Sequence, residues 1–311
     1  MEFSHIPVML NECIEALNIR PDGIYVDCTA GGGGHSEEIA KRLDTGRLIA
    51  IDRDMDAIRH AGERLKKYGD RVTLVHGNFK DLKEILKNNG VDGADGILID
   101  LGVSSYQLDE PERGFSYQND ARLDMRMDRT AELDAWKVVN TYDEKELARI
   151  FFTYGEERYS KRIAEMIVKR REEKPIDTTH ELVYIIKSAM PGRALSEKGH
   201  PAKRVFQAIR IEVNGELDGL KKTLEDIYDC LNLGGTAAII TFHSLEDRMV
   251  KQYFKKMSEG CTCPKSFPVC VCGNKPKLEL MRGRSATPSK EETFKNNRSK
   301  SARLRAARRI L

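Results

Sequence analysis

The sequence predicts an α/β fold, a doubly wound parallel sheet with an inserted helical domain. Three observations carry this. The apolar stretch Gly23-Ile24-Tyr25-Val26 enters Asp27-Cys28-Thr29-Ala30-Gly31-Gly32-Gly33-Gly34-His35-Ser36 and then a helical stretch from Glu37 to Leu43. Strand, glycine turn and helix in that order open a nucleotide-binding sheet. Strand-like runs ending in an acid recur at Gly46-Arg47-Leu48-Ile49-Ala50-Ile51-Asp52 and Gly96-Ile97-Leu98-Ile99-Asp100. From about Tyr106 to His200 the alternation stops and helical periodicities take over. The expected domains are therefore 1–105 with 201–311, and an insertion over 106–200 whose natural task in an enzyme is to bind and orient a substrate.

Composition narrows the class. The 311 residues, 40% of them hydrophobic, suffice for a real core in one large or two ordinary domains. A net charge of +3 says little by itself. From Arg282 to Arg309, however, ten Arg or Lys face only Glu291 and Glu292. Such a tail suits a polyanion, nucleic acid first; a solvated charged terminus has the same composition. Met1 to Asn18 has no apolar signal region, and no apolar run reaches membrane-spanning length. Seven cysteines, an odd number, do not form a secreted disulfide framework, so reduced thiols and a cytosolic location are expected.

In chain order, an amphipathic helix over about Asn11 to Leu17 precedes the glycine loop. The loop lacks the third glycine of a dinucleotide fingerprint: counted from Gly31 that position is Ser36, and from Gly32 it is Glu37. What fits is acid-x-x-x-G-x-G from Asp27 through Gly31 and Gly33, where a strand-end acid suits a ligand with an ammonium group and no pyrophosphate. This pattern resembles motif I of the class I S-adenosylmethionine (AdoMet) methyltransferases. Asp52 ends the second strand roughly 20 residues further on, where an acid can accept both ribose hydroxyls of an adenosine. The third strand, Val72 to Gly77, leads to Asn78-Phe79, and Phe79 is placed to stack on adenine or to serve as a core aromatic. Asp100 ends the fourth strand and faces the crevice at the carboxyl ends.

The insertion begins with a polar stretch, Leu108 to Arg129. Helices follow on the faces Leu147, Ile150, Phe151, Tyr154 and Ile163, Met166, Ile167, then over Leu182 to Met190. Ala202 to about Leu231 reads as one or two helices with a weak point at Asn214-Gly215. The strand Thr236 to Phe242 follows, and then His243-Ser244-Leu245-Glu246-Asp247, with Ser244 as a helix N-cap and His243 near the crevice. Cys261-Thr262-Cys263 and Cys270-Val271-Cys272 are spaced to hold a tetrahedral zinc ion or to be incidental thiols. The basic tail is expected to complete the sheet edge and to present Arg284, Arg298, Arg303 and Arg305.

Several of these blocks together resemble the MraW (RsmH) family, the small-subunit ribosomal RNA methyltransferases H. They are His5 with Pro7-Val8-Met9-Leu10, the glycine loop from Asp27 to Ser36, Ala50-Ile51-Asp52-Arg53-Asp54, and Asp100-Leu101-Gly102-Val103-Ser104-Ser105. Arg113-Gly114-Phe115-Ser116, Leu123-Asp124-Met125-Arg126-Met127-Asp128 and Phe242 to Asp247 belong with them. The likeness extends from residue 5 to Arg298-Ser299-Lys300-Ser301-Ala302, nearly the full chain. It implies methyl transfer from AdoMet to N4 of a cytidine in 16S ribosomal RNA, at the decoding centre of the small subunit. It also implies AdoMet contacts at Gly33, Gly34, His35, Asp52, Phe79, Asp100 and Gln107.

Cytosine N4 is a poor nucleophile because its lone pair is delocalised into the ring, so positioning and a hydrogen acceptor are required. The prolines that follow strand four in many amino-methyltransferases are absent from Asp100-Leu101-Gly102-Val103. Asp100, the candidate catalytic residue, or a backbone carbonyl beside it is left as acceptor. Arg113, Arg126, Lys203 and Arg204 are the cations expected nearest the RNA. An NAD-dependent oxidoreductase and a non-catalytic RNA-binding assembly factor are the rival readings.

Overall fold

A computed structural model describes residues 7–197, 199–264, 267–281, 283 and 286–311. His5 and Arg284 lie outside them. The chain divides into two compact units, Met1–Gly102 with Leu217–Leu311, and Val103–Glu216.

The first unit opens with α1 (Leu10–Leu17) and then alternates strand and helix: β1 (Ile24–Asp27), α2 (Gly34–Ala40), β2 (Arg47–Asp52), α3 (Met55–Leu65), β3 (Val72–His76), α4 (Leu82–Asn88) and β4 (Ala94–Asp100). The second unit carries α5 (Ser105–Asp109), α6 (Ala135–Thr141), α7 (Glu144–Thr153), α8 (Ser160–Glu173), α9 (Thr179–Ala189), α10 (Gly192–Leu195) and α11 (Lys203–Asn214). The chain returns to the first unit through α12 (Glu216–Cys230), β5 (Leu231–Thr241), α13 (Ser244–Ser258), β6 (Leu278–Leu280), α14 (Lys290–Lys295) and β7 (Arg303–Arg309).

The sheet has seven strands in the order β3-β2-β1-β4-β5-β7-β6. The strands β1 to β5 are parallel to their neighbours, and β7 runs antiparallel to both β5 and β6. Successive strand residues point to opposite faces. Val26, Ile49, Ile51, Ile97, Ile99, Ala237 and Ile239 share one buried cluster with α4, α12 and α13. Tyr25, Leu48, Ala50, Leu98, Ala238 and Ile240 share another with α1, α2 and α3. Both faces are covered, as a parallel sheet requires, and the carboxyl ends of the strands are left to bind ligands. No described helix is long and apolar enough to cross a membrane.

The second unit has its own core, in which Leu147, Ile150 and Phe151 meet Ile163, Ile167, Leu182, Ile186, Val205, Phe206 and Ile209. The apolar face of α11 is thus spent here, and the unit continues to Glu216, past the boundary expected at residue 200. The Asn214-Gly215 weak point does separate two helices.

The tail from Leu278 to Leu311 completes the sheet edge, as expected, and departs from expectation in one of its arginines. Its strand β7 lies inside the sheet, between β5 and β6, and β6 forms the edge. Arg305 is not presented outward: its Nε and Nη2 donate to Asp247 Oδ1 and Oδ2 at 2.7 and 2.9 Å. Arg308 pairs with Glu279, and Arg309 stacks over the Tyr228 ring at 4.4 Å. Arg298 and Arg303 are exposed.

Candidate functional site

The carboxyl ends of three adjacent strands each finish on an aspartate: Asp27 on β1, Asp52 on β2 and Asp100 on β4. The glycine loop leaves β1 between them. Each carboxyl has a different environment.

Asp27 is fully buried. It accepts the Ser36 hydroxyl at 2.6 Å and the Thr29 N–H at 3.1 Å. Burial pushes its pKa up although these donors pull it down. Asp27 therefore ties down the loop.

Asp52 stands half-buried and accepts two backbone N–H groups, Gly31 at 2.7 Å and Asp54 at 2.8 Å. Each oxygen retains a lone pair for a ligand hydroxyl. Burial outweighs both donors and lifts its pKa to about 6.

Asp100 donates its N–H to Thr29 Oγ1 at 2.7 Å, which clamps the glycine loop to β4. Its Oδ1 is buried without a hydrogen-bond partner. Its pKa is raised well above the ordinary value by burial, and then by the charges of Asp27 and Glu246. A buried acceptor of this kind requires a donor or cation from elsewhere.

The glycines serve different ends. Gly31 has φ +50°, and a Cβ there would meet only Thr29 O at 3.9 Å, so its free side faces open space. Gly33 has φ +78° and caps α2; a Cβ would lie 3.2 Å from Ala61 Cα. A Cβ on Gly34 would lie 2.3 Å from Pro7 Cγ. Close packing thus explains Gly33 and Gly34 in part, and α2 starts at Gly34, ahead of the expected Glu37, with the left-handed Gly33 at its N-cap position accepting the Glu37 N–H at 2.8 Å.

His35 is buried, with Nε2 3.0 Å from the Val8 carbonyl oxygen and Nδ1 3.8 Å from Asp100 Oδ2. A carbonyl only accepts, so Nε2 carries the hydrogen. Phe79 is half-buried against the apolar cluster of one sheet face, and its carbonyl accepts the Thr223 hydroxyl at 3.1 Å. Gln107 lies in the second unit, buried, where it closes a capping box at the start of α5: Gln107 Oε1 accepts the Ser104 N–H at 3.0 Å. His243 is itself the N-cap position of α13, displacing Ser244 from that role. The buried Glu246 carboxylate accepts the N–H groups of Phe242 at 2.9 Å and His243 at 3.3 Å.

Two of the four expected RNA cations are engaged within their own unit. Arg113 is buried and donates to the carbonyls of Arg126 and Met127 at 3.0 and 3.1 Å. Arg126 grips Asp124 with Nε and Nη2, both at 2.8 Å. Lys203 and Arg204 are exposed and have no ion pair among the described residues. Sequence alone missed Thr29, Ser36 and Glu246, whose roles arise from hydrogen bonds that only the assembled strand ends create; the position of Glu246 three residues after His243 was the one available signal.

The chain is similar throughout to known proteins. A profile of the MraW methylase family matches residues 2–310. A ribosomal RNA small subunit methyltransferase H from Clostridium botulinum (strain Loch Maree / Type A3) is 56% identical over all of both chains. One of the same name from Finegoldia magna is 52% identical over all of both chains, and one from Carboxydothermus hydrogenoformans is 55% identical over all of this chain and 99% of its own. With the sheet order and the reversed last strand described above, the chain belongs to the MraW methylase family, enzymes of methyl transfer built on the class I AdoMet-dependent methyltransferase fold.

Proposed function

We propose that the protein transfers a methyl group from AdoMet to N4 of a cytidine in 16S ribosomal RNA, at the decoding centre of the small ribosomal subunit in the cytoplasm. The observation that carries this reading is Asp100, a strand-end carboxyl with a buried, unpartnered oxygen next to the glycine loop. The RNA substrate follows from relatives more than half identical and named for the small subunit.

The donor set fits AdoMet. The acidic strand ends at Asp52 and Asp100 disfavour a pyrophosphate, and hence NAD, but suit a ligand that carries an ammonium and a sulfonium. Asp52 accepts the ribose hydroxyls, Gly33, Gly34 and His35 line the loop, Phe79 borders the adenine and Asp100 meets positive charge; Gln107 is added by resemblance alone. When bound, AdoMet supplies an electrophilic methyl group.

The protein's own residues do the rest. Burial and the charges of Asp27 and Glu246 push the Asp100 pKa up, and a cation beside it favours the carboxylate. Asp100, or a carbonyl of the Leu101-Gly102 segment, then accepts a hydrogen of the N4 amine. The target base leaves its stack to reach the site. Most of the acceleration comes from aligning two held reactants.

The test is incubation with labelled AdoMet and small subunits lacking the modification, followed by nucleoside analysis. Labelled N4-methylcytidine is expected; label at a ring carbon, on ribose, or nowhere contradicts the reading.

A further inference from the structure

The connection between α13 and β6 builds a second cluster of reactive groups that methyl transfer does not use. Cys261, Cys263, Cys270 and Cys272 are all free, and their four Sγ atoms lie within 4.8 Å of one another. Cys270 Sγ is 3.6 Å from Cys272 Sγ, which is 3.7 Å from Cys261 Sγ. A disulfide needs about 2.05 Å, so these are not bonded pairs. Four sulfurs each about 2.3 Å from a central zinc ion form a tetrahedron with edges of about 3.8 Å, close to the two separations of 3.6 and 3.7 Å and compatible with a cluster whose sulfurs all lie within 4.8 Å.

A second observation is independent of that spacing. Backbone N–H groups aim at the sulfurs: Thr262 and Asn274 donate to Cys272 Sγ at 3.4 and 3.5 Å, and Val271 donates to Cys263 Sγ at 3.4 Å. Such donors stabilise the thiolate, the form that binds metal, and orient it. The loop also lacks an apolar core of its own. Phe267, Val269 and Val271 are 50%, 70% and 74% exposed. Its polar ties are few, chiefly Asn274 Nδ2 donating to the carbonyls of Glu259 and Gly260 at 3.2 and 2.7 Å. Among the described residues from Cys261 to Lys277 no side chain is fully buried, and a long connection of that kind gains a single shape from a crosslink.

The geometry points to a zinc site of four thiolates, Cys261, Cys263, Cys270 and Cys272, that staples the α13–β6 connection. A donor set of four sulfurs is closed, with no position left for water, so the ion is structural and takes no part in the reaction. The inference is independent of the proposed methylation.

The experiment uses the full chain, purified under reducing conditions without chelator. Elemental analysis is expected to find about one zinc per chain, and the doubly substituted Cys261→Ser/Cys270→Ser variant to lose it. Because that variant could misfold, the wild-type chain supplies a second measurement. Chelation followed by Co²⁺ is expected to give the sulfur-to-cobalt charge-transfer bands and visible bands of a tetrahedral thiolate site. Amide exchange over residues 259–277 should rise on zinc removal and fall on its return, while AdoMet affinity is unchanged. Protein that carries no zinc and gives no cobalt bands overturns the inference, as does iron in place of zinc, or disulfides among these cysteines in the unreduced chain.

Discussion

Asp52 and Asp27 both end strands on an acid, yet neighbouring groups assign them opposite duties. Asp52 keeps lone pairs for a ligand and titrates near 6, so AdoMet binding should respond to pH. The ligand prefers the carboxylate, hence affinity weakens as pH falls through about 6, by up to about tenfold per unit. Calorimetry from pH 7.5 to 5 checks this: Asp52→Asn should bind more weakly and lack the component with a midpoint near 6. The sign for folding is the reverse. A carboxyl whose pKa is raised contributes stability that is present below its ordinary value of 3.8 and lost as pH rises through about 6, so Asp52→Asn should melt no lower than wild type at pH 7.5. Gly33→Ala should behave differently, losing roughly 1–3 kcal/mol of stability in thermal or urea unfolding, because φ +78° strains any side chain and Ala61 blocks the Cβ. The place of Asp52 at the end of β2 was legible in the sequence, because an apolar run closing on an acid marks the strand end. The duty of Asp27 was not, since spacing cannot show that Ser36 and Thr29 claim its oxygens.

Among the elements, the central strands were plain: Leu48 to Ile51 and Ile97 to Ile99 are continuous apolar runs, as burial on two faces demands. The last strand was obscured by charge. Its core residues Leu304, Ala306 and Ala307 sit among arginines, so the tail could be expected at the sheet edge but its strand bounds and pairing could not be read. One of those arginines makes a test. Arg305 is registered against Ile239 of β5 and holds Asp247 of α13 with two hydrogen bonds. Arg305→Ala should lower stability by about 1 kcal/mol in urea unfolding, a partly exposed charge pair being discounted for solvent screening, with AdoMet affinity unchanged. In the second unit Arg113 plays the same internal part for the Arg126 and Met127 carbonyls. Arg113→Ala should destabilise by about 2–3 kcal/mol through the carbonyls it strands.

At the scale of the whole molecule, the division into a sheet unit and a helical unit was visible where strand periodicity fails after Ser105. Its far boundary was hidden because α11 has an apolar face that serves either unit equally in sequence; only the contacts of Val205, Phe206 and Ile209 decide it. Lys203 and Arg204 at the start of that helix are the expected cations that stay exposed. Replacing both with Gln should leave AdoMet affinity intact, lower methylation of small subunits and flatten the salt dependence of subunit binding by about two charges. Methylation and salt dependence at wild-type levels would place the RNA on another surface. The central claim is that the strand-end carboxyls Asp52 and Asp100 hold AdoMet, and it rests most heavily on the unpartnered oxygen of Asp100. Calorimetric titration of AdoMet into Asp100→Asn at pH 7.5 tests it directly. The account expects a folded protein that binds at least about tenfold more weakly than wild type, in keeping with the loss of a charged partner; wild-type affinity in the folded variant would contradict it.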